Sequence, residues 1–327
     1  MEKQKLIFSI GLTAIIVSAI WITLGIIKSG SLIVGLNSQI TAGSTTSQKT
    51  IPQNQDASPC GPLASDGSGY NHSENGKQAD LSVSTGLDFS GFPAKLVKSG
   101  VFNVEKYKQL AGDLTPSDGE ILSAQSGKKI EITQDNNRTL LNLFWALGLI
   151  QKNESLENTE LGQLKNQGQL GNLASTGGWV LGEKDATEYF SSQNVLGLTS
   201  EQQSRVARIA STVYRPCCGN HARFADCNHG MAMLGVLSLG VKQELSDEQL
   251  YSVALKFNKV WFPTQYGHVA QYLEKIEKTS IEKISPQSLL SAQVIGGSGH
   301  VNNIERPLAA FNGDGGVQNN KGGGCSI

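Results

Sequence analysis

A chain of 327 residues can bury a sizeable core in one domain or two small ones. Its 27 basic and 28 acidic side chains leave a formal net charge of −1, and the basic residues are scattered along the chain. A phosphate backbone would find no electrostatic footprint here, which excludes nucleic-acid binding.

In chain order, the first feature is LIFSIGLTAIIVSAIWITLGII, residues 6–27, an uncharged apolar run preceded by Lys3 and Lys5 and ended by Lys28. At about 1.5 Å rise per residue a helix of this length spans the hydrocarbon layer of a bilayer. Basic residues ahead of it favour an N-terminus in the cytoplasm and an exported remainder, although Lys28 on the far side opposes this. A cleaved signal peptide is the alternative, but the run is longer than a usual signal core and no small-x-small site follows directly. The expectation for 1–28 is a single-pass anchor, with the lipid bilayer as partner of residues 6–27 and the C-terminal domain outside the cytoplasm.

Residues 29–85 are rich in Ser, Thr, Gln, Asn and Gly and carry Cys60 and His72. So polar a stretch cannot offset its ordering entropy and reads as a disordered, low-complexity stalk. Residues 86–295 carry the pattern of a helical domain. Leu96, Val97, Val101, Phe102, Val104 and Tyr107 offer short helical stretches around Gly100. NRTLLNLFWALGLIQKN, residues 137–153, is apolar nearly all round, as a core helix is. Gly177 and Gly178 break the chain before Trp179. Thr199 or Ser200, with Gln203 behind it, caps a helix that Pro216 stops. Asp226 is placed to cap DCNHGMAMLGVLSLGVKQ, and Ser246 or Asp247 to cap a third helix that Pro263 kinks or breaks. KKIEIT at 128–133 is the one brief strand candidate. The expected fold class is all-α: an antiparallel helical bundle behind a transmembrane helix and stalk. Residues 296–327 are glycine-rich and read as a flexible tail with Cys325 near its tip.

Three of the five cysteines and two of the five histidines fall between Cys217 and His229, in the pattern C-C-x2-H-x5-C-x-H. Cys217, Cys218, His221, Cys227 and His229 supply sulfur and imidazole donors suited to a transition metal ion, zinc, copper or iron. Adjacent cysteines reach one ion with difficulty, so Cys217 or Cys218 is expected as a ligand rather than necessarily both. Met231 and Met233 fit core packing better than copper ligation. The same sulfurs also fit a reactive thiol pair, such as Cys218 with Cys227, or a structural disulfide stapling two helices. Cys325 offers an exchange partner or a further sulfur ligand on its arm. His268 reads as a satisfied core or surface side chain, and His300 and His72 as solvated. Asp226 is better explained as a cap than as a catalytic acid.

At YRPCCGN and FADCNHGMAMLG, with LFWALGL and LASTGGWVLG upstream, the chain resembles a group of uncharacterised membrane-anchored prokaryotic proteins over roughly residues 90 to 290. The resemblance implies that these segments form one domain and brings no activity with it. The function expected is therefore that of a membrane-anchored extracytoplasmic protein holding a transition metal at a helix junction, for metal handling or electron transfer. A thiol-disulfide redox protein using the same cysteines, or a surface interaction module with a structural disulfide, are the alternatives.

Overall fold

The computed structural model describes residues 82–157 and 159–313. The predicted anchor, most of the stalk with Cys60 and His72, and the terminus with Cys325 lie outside the described residues. Among the described residues no helix is long and apolar enough to cross a membrane. Helices of seven residues or more are numbered in chain order, α5 being Glu160–Asn166, and shorter ones are given by range.

The centre of the domain is the pair α4 (Asn137–Ile150) and α7 (Asn228–Lys242). Every residue of α7 from Asn228 to Val241 is buried, and α4 is buried from Thr139 onward. Two glycines let them meet backbone to backbone. A Cβ on Gly148 would lie 1.8 Å from the Met231 carbonyl oxygen, and one on Gly235 would lie 2.3 Å from that of Phe144. Since 144 faces 235 and 148 faces 231, the two helices run in opposite directions. The segments LFWALGL and HGMAMLG are therefore mates, each apolar all round because each is enclosed all round. Met231 and Met233 are core residues, as their packing on an apolar helix predicts.

Flanking helices close over this pair. α6 (Ser200–Ala210) and α8 (Asp247–Trp261) pack against α7 and both open on capping boxes, Thr199 with Gln202 and Ser246 with Gln249. The α6 cap thus uses Gln202 where Gln203 was expected; Gln203 is one residue too far round to reach the cap amide, and is buried instead. Pro263 starts α9 (Pro263–Lys275) after a break at Phe262, as its missing amide requires. At the N-terminal side, β1 (Val83–Asp88) pairs antiparallel with β2 (Lys129–Ile132), and Leu87, Ile130 and Ile132 enter the core. α1 (Phe92–Lys98), α2 (Val104–Ala111) and α3 (Pro116–Leu122) lie between the strands, with Phe92 against Phe144 of α4 at 5.4 Å.

Five expectations need correction. Ordered structure begins by Val83, inside the segment predicted to be stalk, because β2 supplies a partner that composition cannot reveal. α6 ends at Ala210, six residues before Pro216, with Ser211 closing its last turn. Asp226 does not cap α7: Cys227 occupies that position, and the Asp226 side chain turns to Arg215 and Asn220. Residues 297–312 are not part of a mobile arm. They form a helical turn (Gly297–His300), a π-helical turn (Val301–Glu305) and α10 (Arg306–Asn312), anchored by buried His300, Ile304 and Leu308 at successive i, i+4 positions. His300, expected in solvent, is 3% exposed.

Candidate metal centre

Between α6 and α7 the chain doubles back. Tyr214 bridges His221 in antiparallel fashion, Ala222 N donates to Val213 O at 2.8 Å, and Arg215 N donates to Asn220 O at 3.2 Å. The tip of this fold is Pro216 to Gly219, where Gly219 takes a left-handed φ of 72° that L side chains resist. Gly219 also backs onto Gly297, with room for a Cβ on neither. Cys217 and Cys218 thus sit at the tip, facing Cys227 at the start of α7.

The three sulfurs form a compact triangle: Cys217 to Cys227 is 3.5 Å, Cys217 to Cys218 is 3.8 Å and Cys218 to Cys227 is 3.9 Å. A disulfide holds its sulfurs about 2.05 Å apart, so none is formed. A tetrahedral ion with metal–sulfur bonds of about 2.3 Å sets neighbouring sulfurs about 3.8 Å apart. The observed edges match that spacing, and both adjacent cysteines belong to the triangle. Cys227 is buried, Cys217 half-buried and Cys218 exposed, so the triangle has an inner and an outer side.

The donors lying within 4.8 Å of one another here are these three sulfurs, and neither His221 nor His229 is among them. The His221 Nδ1 already accepts the Phe224 N–H at 3.2 Å, and its ring stands edge-on to Tyr214. His229 is buried against Trp261 and Phe262 with its Nδ1 lacking a hydrogen-bond partner. Burial first, then the positive Arg215 nearby, pushes the His229 pKa down to about 3, so the ring is neutral near pH 7.

Arg215 is the residue that the sequence did not mark. It is fully buried, and its Nη2 donates to Asp226 Oδ1 at 2.7 Å, Cys218 Sγ at 3.0 Å and Phe224 O at 3.2 Å. Burial opposes its charge, but the facing sulfurs of Cys227, Cys218 and Cys217, with Asp226, hold the guanidinium protonated. Gly230 makes room for it: a Cβ there would lie 2.6 Å from the guanidinium carbon. Hydrogen bonds from Cys217 and Cys218, aided by Arg215, hold the Cys227 thiol well below its ordinary pKa despite burial. Its hydrogen bonds to Cys218 and then to Cys227, with burial, push Cys217 up. The surroundings of Cys227 therefore favour its thiolate form. Burial, then the Cys218 sulfur, raises the Asp226 carboxyl against the pull of Arg215. A buried arginine is rare enough that only its place two residues before the cysteine pair could have flagged it.

The geometry can hold a metal ion or support thiol redox chemistry. Compared with protein family models, curated proteins and solved structures, the chain matches none.

Proposed function

We propose that this is a membrane-anchored extracytoplasmic protein in which Cys217, Cys218 and Cys227 hold one thiophilic transition metal ion, zinc, copper or iron, for metal handling or electron transfer. The observation that carries this is the sulfur triangle, whose edges of 3.5, 3.8 and 3.9 Å suit a common ion and no covalent bond. Charge supports it: three thiolates around a divalent ion leave one negative charge, and the buried Arg215 lies 3.0 Å from one of those sulfurs. The exposed Cys218 leaves the outer side open to a fourth donor or an exchange partner. The anchor and exported location rest on the apolar run over residues 6–27 and the lysines before it.

A second reading is favoured by the exposed Cys218 lying 3.9 Å from the buried Cys227. In it the Cys218 sulfur attacks a partner disulfide as a thiolate and expels one thiolate. Cys227 then resolves the mixed disulfide by bonding to Cys218, and the partner leaves as a dithiol.

Metal analysis of the purified full chain, with thiol counting before and after denaturation, separates the two. An equivalent of bound metal that is lost in Cys227→Ser supports the ion-binding reading. A metal-free protein that forms a Cys218–Cys227 disulfide on exposure to an oxidised dithiol overturns it in favour of exchange.

A further inference from the structure

His268, His300 and Glu305 lie on three structural pieces of the C-terminal part of the domain. His268 is on α9, His300 ends the turn Gly297–His300, and Glu305 ends the π-helical turn. One donor atom from each lies within 4.8 Å of the others. His268 Nδ1 is 3.3 Å and His300 Nε2 is 3.5 Å from the same Glu305 Oε1.

The π-turn is what makes this possible. An α-helix advances about 100° per residue, which would set positions five apart about 140° from each other. In the π-turn the hydrogen bond runs from Arg306 N back to Val301 O, five residues earlier, and stacks residues five apart. His300 and Glu305 therefore share a face. Such turns are uncommon and recur at functional sites.

Proton accounting at His300 leaves a gap. Its Nδ1 is 2.8 Å from the Val294 carbonyl, an acceptor only, so Nδ1 carries the hydrogen. Its Nε2 then presents a lone pair toward a carboxylate oxygen, which is also an acceptor. That Nε2 is buried and has no hydrogen-bond partner, and the same is true of His268 Nδ1. The His300 side chain is 3% exposed, so it cannot turn to water for relief. An N–H to backbone carbonyl bond behind a ring whose other nitrogen faces a carboxylate is the arrangement that orients a metal-ligating histidine. Donors bonded at about 2.0–2.2 Å to a tetrahedral ion stand about 3.4 Å apart, and the two measured edges agree.

We infer that His268 Nδ1, His300 Nε2 and Glu305 Oε1 form a second metal site, for a divalent first-row ion such as zinc, distinct from the sulfur triangle. The mixed nitrogen and oxygen set suits a harder ion than the three sulfurs do. His268 and Glu305 are 36% and 32% exposed, so the fourth position opens to solvent and is filled by water. The site abuts the cysteine loop, since the turn bearing His300 begins at Gly297, against Gly219.

Cobalt(II) titration of the full chain under reducing conditions tests this, because cobalt bound by thiolate shows sulfur charge-transfer absorption and cobalt bound by nitrogen and oxygen does not. Two equivalents are expected in the parent protein. His268→Ala, at a half-exposed position that folding tolerates, loses the equivalent without charge-transfer absorption and keeps the other; Glu305→Gln weakens the same equivalent at least tenfold. Cys227→Ser loses the thiolate signal alone, so failure of one site is readable apart from failure of the other. Unchanged cobalt stoichiometry in a folded His268→Ala protein, unchanged cobalt affinity in a folded Glu305→Gln protein, or a parent protein in which all bound cobalt shows thiolate absorption, overturns the assignment.

Discussion

Nη2 of Arg215 and Oδ1 of Asp226 are 2.7 Å apart, with the arginine side chain wholly enclosed and the aspartate 22% exposed. Removing one partner of such a pair strands the other. Arg215→Met should lower unfolding stability by about 3 kcal/mol, while the double variant with Asp226→Asn should cost less than the two single changes together. Denaturant unfolding of the four proteins in the cycle measures this. Simple additivity would show that the pair is not energetically coupled.

The meeting of α4 and α7 at Gly148 predicts a sharp contrast between two glycine-to-alanine changes. Gly148→Ala forces a methyl into the Met231 carbonyl and should cost about 3 kcal/mol or prevent folding. Gly267, inside α9, has nothing within 4 Å of where a Cβ would lie, and Gly267→Ala should stabilise by up to about 1 kcal/mol. Thermal melts suffice, and equal effects at the two positions would contradict the backbone contact.

His229 makes the metal-free domain acid-sensitive. Its folded pKa of about 3 lies below the unfolded value of about 6.5, so the unfolded chain binds the extra proton between these values. The stability linked to this ring is fully present above pH 6.5 and is lost as pH falls toward 3, at about 1.4 kcal/mol per pH unit. His229→Phe should flatten that slope by about one proton in unfolding curves at pH 4, 5 and 6. An identical slope would mean that the ring is not buried neutral.

Thiol accessibility should follow the layered triangle. Brief N-ethylmaleimide treatment of the reduced, metal-free protein should label Cys218 first and Cys217 more slowly, with the 3% exposed Cys227 protected until unfolding. Peptide mass spectrometry gives the order. Early labelling of Cys227 in folded protein would contradict its place inside.

Much of the helical frame was legible locally. Ser246 and Thr199 are caps because a hydroxyl reaches an amide three residues on, and Pro263 breaks a helix through its own missing amide. The run 137–150, apolar nearly all round, could only be interior, and KIEI alternates as a strand does. Asp226 misled because its sequence position suits a cap equally well. A buried guanidinium, invisible in the pattern, offered its carboxylate a stronger partner. The glycines near 297 misled for a similar reason: they read as slack, whereas Gly299 packs against the Ala292 carbonyl, where a Cβ would lie only 2.0 Å away.

By itself, the amino-acid sequence determined the helical class, several helix ends and the crowding of sulfur between Cys217 and Cys227, since each depends on residues a few positions apart. Only the tertiary structure decided that the three sulfurs converge without His221 or His229, that Arg215 lies buried against them, and that His268, His300 and Glu305 face one another. Those outcomes depend on how a tight loop and a π-turn aim side chains, and on which backbones touch at glycines. Such relations join elements remote in sequence, and no local pattern of polarity encodes them.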